Sequence, residues 1–173
     1  IRDRHSSIAV ANELYKIHRR KRIGLLPLRR ILKYIHICDV MCYAFYERKL
    51  VEELTMYCQF GPMYEGLMRE MEGFGNRDLS CELTLPRYNI DGEFVGRFIP
   101  SIKEKLFLEL IENVYDIFSQ KTDKELMDFV LLASMPVGLA KKEKAMYVTM
   151  KHIKKSSSLL KEETEKNKIL LVK

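Results

Sequence analysis

The chain has 173 residues, of which 47% are hydrophobic and 31% charged, which suits one domain with one substantial core and argues against a disordered polymer. The net charge of +6 is uneven. Residues 1–34 carry ten basic and two acidic side chains, residues 35–140 ten and eighteen, and residues 141–173 ten and four. Basic ends therefore flank an acidic middle, as internal pairing, an acidic partner-binding face or basic ends on nucleic acid would each require. No run of about 18 apolar residues exists, so a membrane span is not expected. The opening IRDRHSS lacks the apolar centre of a signal peptide. Four cysteines in a chain this long do not make a disulfide framework, and the expected location is the reducing cytoplasm.

Ser6 or Ser7 is placed to cap a first helix, whose face is marked by Ile8, Ala11, Leu14, Tyr15 and His18 and whose end carries Arg19 to Arg22, where cations suit the free carbonyls. Gly24 turns the chain into Leu25–Tyr46, the most apolar stretch. There Leu28, Ile31, Leu32, Ile35, Cys38, Cys42 and Phe45 give one helical face, and Ile37, Val40, Met41 and Ala44 a second. A helix apolar on that much of its surface must be covered from several sides, so it is expected at the centre of the fold. Pro27 suits its first position, where a missing N–H has no helical partner.

Thr55, Tyr57, Cys58 and Phe60 suit an extended strand, which Gly61-Pro62 ends, Pro62 opening a helix over Met63–Glu72 with Tyr64, Leu67, Met68 and Met71 on one side. Asp91-Gly92 between β-type residues predicts a tight hairpin with strands near 85–90 and 93–98. Ile102, Leu106, Leu110, Val114 and Ile117 or Phe118 form a helical stripe, Thr122 and Glu125 a capping box, and Met135-Pro136-Val137-Gly138 a break. A last helix is expected from about Lys142 to Ser156 or beyond. The fold expected is α+β and mainly α-helical, with helices around the central apolar helix and a small antiparallel hairpin or sheet. Residues 1–155 form one globular domain, and 156–173 a charged tail or helix extension.

Catalytic and cofactor motifs are missing. Gly73-Phe74-Gly75 lacks the third glycine of a phosphate-binding loop and follows a helix instead of a strand. The pool for a metal is His36, Cys38, Cys42 and Cys58, but His36 stands about 160° around the helix from Cys38 at 100° per residue, and buried thiols pack more often than they ligate. His5, His18, His36 and His152 sit in no motif linking them to a nucleophile. No enzyme, metal or cofactor is expected. For nucleic acid the candidates are Arg19 to Arg22, Arg29, Arg30, Lys33 and the lysines after 141, although the central helix is too apolar to lie in a groove.

Four segments in order, Ile8-Ala9-Val10-Ala11-Asn12, Leu26-Pro27-Leu28, Leu32-Lys33-Tyr34-Ile35-His36 and Phe60-Gly61-Pro62-Met63, are similar to motifs of the phage-associated Panacea domain, the SocA-like antitoxin domain. The resemblance covers most of residues 6–140 and is clearest over 8–75. The chain departs from that pattern in having no tryptophan: Cys58 and Val137 stand in the places of two, and Leu26 in that of a threonine. The resemblance implies a non-catalytic antitoxin that neutralises a cognate protein toxin by direct contact, in some members as an adaptor to a protease. The contact surface is then expected at the strand–Gly-Pro–helix region, with Tyr57, Phe60, Met63 and Tyr64 as anchors, although for at least half of them core packing is the better explanation. Pro27, Tyr34, Gly61 and Pro62 are expected to be structural. A nucleic-acid-associated regulator of a mobile element is the alternative.

Overall fold

The computed structural model describes residues 5–22, 26–73 and 102–167. Its elements in chain order are α1 (Ser7–Lys21), α2 (Leu28–Tyr46), β1 (Thr55–Cys58), β2 (Gly61–Tyr64), α3 (Glu65–Gly73), α4 (Lys105–Phe118), α5 (Asp123–Val130), α6 (Pro136–Lys142), β3 (Tyr147–Val148) and α7 (Met150–Asn167). The protein is mainly α-helical with one small antiparallel sheet, as expected. The hairpin expected around Asp91-Gly92 lies outside the described residues.

The helix α2 is the centre. Residues from Leu28 to Ala44 are buried on almost every side, and α1, α4, α5, α7 and β2 all touch it. Its apolar circumference leaves no solvent face, so the elements around it bury their own apolar stripes against it. Pro27 is the N-cap residue, one place before the helix proper, and Leu28 follows it.

Three polar residues on α2 are buried, and each is held. Asp39 Oδ1 accepts the N–H groups of Leu50 and Val51, each at 3.0 Å. Its other oxygen pairs with the buried Lys49 ammonium. One carboxylate thus fixes the segment that leads into β1. That segment is also fastened to the N-terminus, where His5 N–H donates to Leu50 O at 2.7 Å and Glu52 N–H to His5 O at 2.9 Å. Lys33 donates to Arg29 O at 3.2 Å, and burial lowers its pKa. His36 Nδ1 lies 3.4 Å from the Tyr64 hydroxyl, and burial pushes its pKa down to about 3.

The helix ends follow local rules. The Ser6 side chain accepts from Ala9 N–H, and Thr122 and Glu125 form the expected capping box. Glu53 serves two helices at once. It accepts Ser7 N–H (2.6 Å) and Oγ–H (2.7 Å) at the start of α1, and Gly66 N–H (3.0 Å) at the start of α3. A carboxylate there also meets the positive ends of both helix dipoles.

Three expectations shift in detail. On α4 the buried face is Phe107, Leu110, Ile111, Val114, Tyr115 and Phe118, a denser three-and-four pattern than the one through Leu106, which is left facing solvent. Pro136 opens α6 at its first turn, and Gly138 then lets α6 approach the end of α5. A Cβ at Gly138 would lie 2.0 Å from Leu132 O and 2.7 Å from Leu131 O. The last helix begins at Met150 and not near Lys142, because α6 occupies 136–142 and β3 intervenes. It then runs through the expected boundary at residue 155 without a break. Ser156 and Ser157 are buried, and α7 lies along α2. Among the described residues, no helix is long and apolar enough to cross a membrane.

A candidate protein-contact surface

The sheet has the order β2-β1-β3. Gly61 was expected to end the strand and Pro62 to open a helix. Instead Gly61–Tyr64 folds back as β2, pairing Thr55 with Tyr64, Met56 with Met63, Tyr57 with Pro62 and Cys58 with Gly61. Helix α3 begins only at Glu65. The physical reason lies at Gly61, whose φ of 108° is open to glycine and strained for other residues. That conformation reverses the chain, and Pro62 is then tolerated because β2 is an edge strand.

Successive side chains of a strand point to opposite faces, and the register sorts the sheet. Tyr64, Thr55 and Val148 form one row, all buried. Met63, Met56 and Tyr147 form the next row, across all three strands and on the opposite face. Tyr147 is 40% exposed, and Met56 and Met63, each half-buried, are not among the side chains packed on the two core clusters. Leu54, just before β1, is 66% exposed, Phe60 at the hairpin tip 53%, and Met146 beside β3 74%. A sheet carrying methionine and aromatic side chains on its outer face differs from the usual polar exterior of an antiparallel sheet.

The four expected anchors divide. Phe60 and Met63 belong to this outer surface. Tyr57 is half-buried, lies against the smaller core cluster, and its hydroxyl donates to Ala145 O. Tyr64 corrects the expectation outright: it is fully buried, beside His36, and presents nothing to a partner. The strand alternation that sets Met63 on the outer face, half-buried, turns Tyr64 inward. Met56, Leu54, Met146 and Tyr147 are the surface residues that sequence reasoning missed. Met56 and Leu54 were legible from the period-two pattern of 54–58, whereas Tyr147 joins them only through the pairing of β3 with β1.

The β3 edge is positioned by a buried histidine. His152 Nδ1 accepts from Thr149 N–H at 3.0 Å, so the proton sits on Nε2, which donates to Glu143 Oε2 at 2.7 Å. This bond holds the Glu143 carboxyl below its usual pKa and ties the end of α6 to the start of α7, with residues 144–148 between. Lys144 turns the chain there at a φ of 56°.

The expected structural residues Pro27 and Tyr34 line a cavity of about 220 Å³ with His18, Arg30 and Tyr115. Arg30 is already occupied. It donates to the Tyr34 hydroxyl at 2.8 and 3.0 Å, to Lys121 O at 2.7 Å and to Asp123 Oδ1 at 2.7 Å. Arg29 reaches the other Asp123 oxygen at 3.0 Å, and these two guanidiniums lower the Asp123 pKa against the effect of burial. The N-terminal basic cluster is similarly engaged: Lys21 pairs with Glu112 and Asp116, and Arg20 with Glu112. Four cations of residues 1–34, Arg20, Lys21, Arg29 and Arg30, therefore pair with carboxylates from the acidic middle of the same chain.

Cys38 and Cys42 are buried, and burial pushes the Cys42 thiol up to about 12, far from the thiolate that nucleophiles and metal ligands need. Among the described residues no group of three or more His, Cys, Asp or Glu side chains is arranged to hold a metal ion.

Comparison with protein-family models, curated proteins and solved structures gave no significant match to this chain.

Proposed function

We propose that this chain is an antitoxin-like binding module, which neutralises a cognate protein toxin in the cytoplasm by contact and carries out no reaction itself. The observation that carries this reading is the outward row Met63–Met56–Tyr147 with exposed Leu54, Phe60 and Met146 around it. Flexible thioethers and aromatic rings are the side chains that adapt to and anchor protein interfaces. The resemblance of residues 8–75 to the Panacea domain supports the same reading, and adaptor delivery to a protease is a further role within it. The alternative, a nucleic-acid-associated regulator, has less support, because the arginines and lysines of residues 20–33 are largely paired or buried.

The test is co-expression with the product of the adjacent gene. Growth arrest by that product alone, relieved by this chain, together with co-purification of the two, is the expected result. A neighbour that is harmless alone and does not co-purify refutes the reading.

A further inference from the structure

Residues 141–155 carry Lys141, Lys142, Lys144, Lys151, Lys154 and Lys155 against the single carboxylate of Glu143. All six lysines are exposed, and Glu143 is already bound to His152. None of the six forms an ion pair among those found between described residues. This contrasts with Arg20, Lys21, Arg29 and Arg30, which pair with Glu112, Asp116 and Asp123. The lysines occupy the end of α6, the following turn and the first turns of α7, and so border β3. Tyr147, the β3 member of the apolar row, therefore has on its flank lysines with no ion-pair partner among the described residues, together with exposed Met146 and Met150.

We infer that the outer face of the sheet and its lysine border together form a docking site for an amphipathic acidic helix of a protein partner, with the helix's apolar side on Met63, Met56 and Tyr147 and its carboxylates toward Lys144, Lys151 and Lys154. This rests on the protein-binding reading above and specifies the chemistry of the partner. Charge complementarity sets the sign: a basic border steers and holds carboxylates. Dimensions favour a helix. Three strands spaced about 4.8 Å apart give a row roughly 10 Å wide, matching the diameter of a helix of about 10 Å. Strand addition is disfavoured at both edges, since β3 has two residues and β2 contains Pro62, which has no N–H to donate. A lipid surface fits less well. Ile153 on α7 is buried in the protein, so among the described residues this basic helix offers no continuous free apolar face to lay in a bilayer.

The probe is a fluorescent 18-residue helical peptide with leucines at i, i+3, i+4 and i+7 and glutamates on the remaining face, measured against the full chain by anisotropy. A lysine-for-glutamate version, vesicles with phosphatidylserine, and a 20-base-pair duplex are the comparison arms. The expected result is saturable binding of the acidic peptide alone, weakened at least tenfold by Met56→Asp and by Tyr147→Ala, and at least fivefold by Lys151→Glu with Lys154→Glu. Thermal melting confirms that each variant is folded, and the exposed Tyr147 and lysine positions keep the test usable if Met56→Asp is not. Equal binding of the lysine peptide, preference for vesicles or duplex, or binding unchanged in the folded variants overturns the inference. Peptide binding without rescue from the adjacent gene product would sink the antitoxin reading and leave the docking site standing. Rescue that is unaffected by the Tyr147 and lysine variants would do the reverse.

Discussion

Asp39 is the residue whose loss should be felt most, and the structure states why. It is 1% exposed, its Oδ1 accepts two backbone N–H groups at 3.0 Å, and its Oδ2 pairs with Lys49, itself 8% exposed. Asp39→Ala leaves a buried ammonium without its counter-charge and two amides without an acceptor. Breaking a buried pair from one side costs about 3–5 kcal/mol, and each orphaned amide adds roughly 1–3 kcal/mol to the extent that it stays dry. The terms overlap, so a total near 4–5 kcal/mol is expected from these two ranges. For a chain of this size that corresponds to a fall in Tm of roughly 8–20 °C. Urea unfolding followed by circular dichroism, with the slope unchanged, measures it. Two further variants separate the contributions. Asp39→Asn keeps an acceptor for the amides and removes the charge, so it should fall between wild type and alanine. Lys49→Met in the Asp39→Ala background removes the stranded ammonium and should recover part of the loss. A loss below about 1 kcal/mol for Asp39→Ala would refute the reasoning, because it would mean that water reaches Lys49 and both amides at little cost.

Other consequences follow from particular contacts. Glu53→Ala removes an acceptor shared by α1 and α3; a loss of about 2–3 kcal/mol is expected, with faster hydrogen exchange at the starts of both helices, and exchange confined to one helix would contradict the shared cap. His36, whose pKa is lowered to about 3 by burial, is neutral when folded but takes a proton in the unfolded chain below its ordinary value near 6.5. The unfolded state then binds more protons, so stability falls as pH drops from about 6.5 towards 3, by up to about 1.4 kcal/mol per pH unit. Stability curves of His36→Leu and wild type should therefore differ in slope between about pH 6 and 4, and parallel curves would show that the ring is protonated in the fold. Gly138→Ala forces a Cβ to 2.0 Å from Leu132 O and should destabilise by more than about 2 kcal/mol through displacement of α6; a melting temperature within a degree or two of wild type would rule out that close approach.

How much of this was legible in the chain depends on the range of the interactions involved. Helix α2 declared itself because its apolar residues recur at three and four and also fill the flanks, a pattern that only burial on several sides satisfies. The caps at Ser6 and Thr122 were equally readable, since the hydrogen bonds they make reach only three residues along. The strand at 55–58 was visible from its β-type residues. Its partner β2 was not, because Gly61-Pro62 reads as a helix start until the positive φ at Gly61 turns the chain back.

The candidate surface shows the same division. Phe60 and Met63 stood out as interface-type residues, but residue type alone cannot say which face of a strand a side chain takes. Pairing assigned Tyr64 to the core and Met63 to the outside, and it brought Tyr147, 91 positions after Met56, to the same row. Charge behaved likewise. The amino-acid sequence determined that both ends are basic, the middle acidic, one helix oily all round and catalytic motifs missing, because these are properties of composition and local period. Tertiary contacts alone decided that Arg20, Lys21, Arg29 and Arg30 pair with carboxylates of α4 and α5 while the lysines of 141–155 pair with no described carboxylate beside an apolar sheet face, since Coulomb attraction and side-chain packing act through space between residues the chain holds far apart.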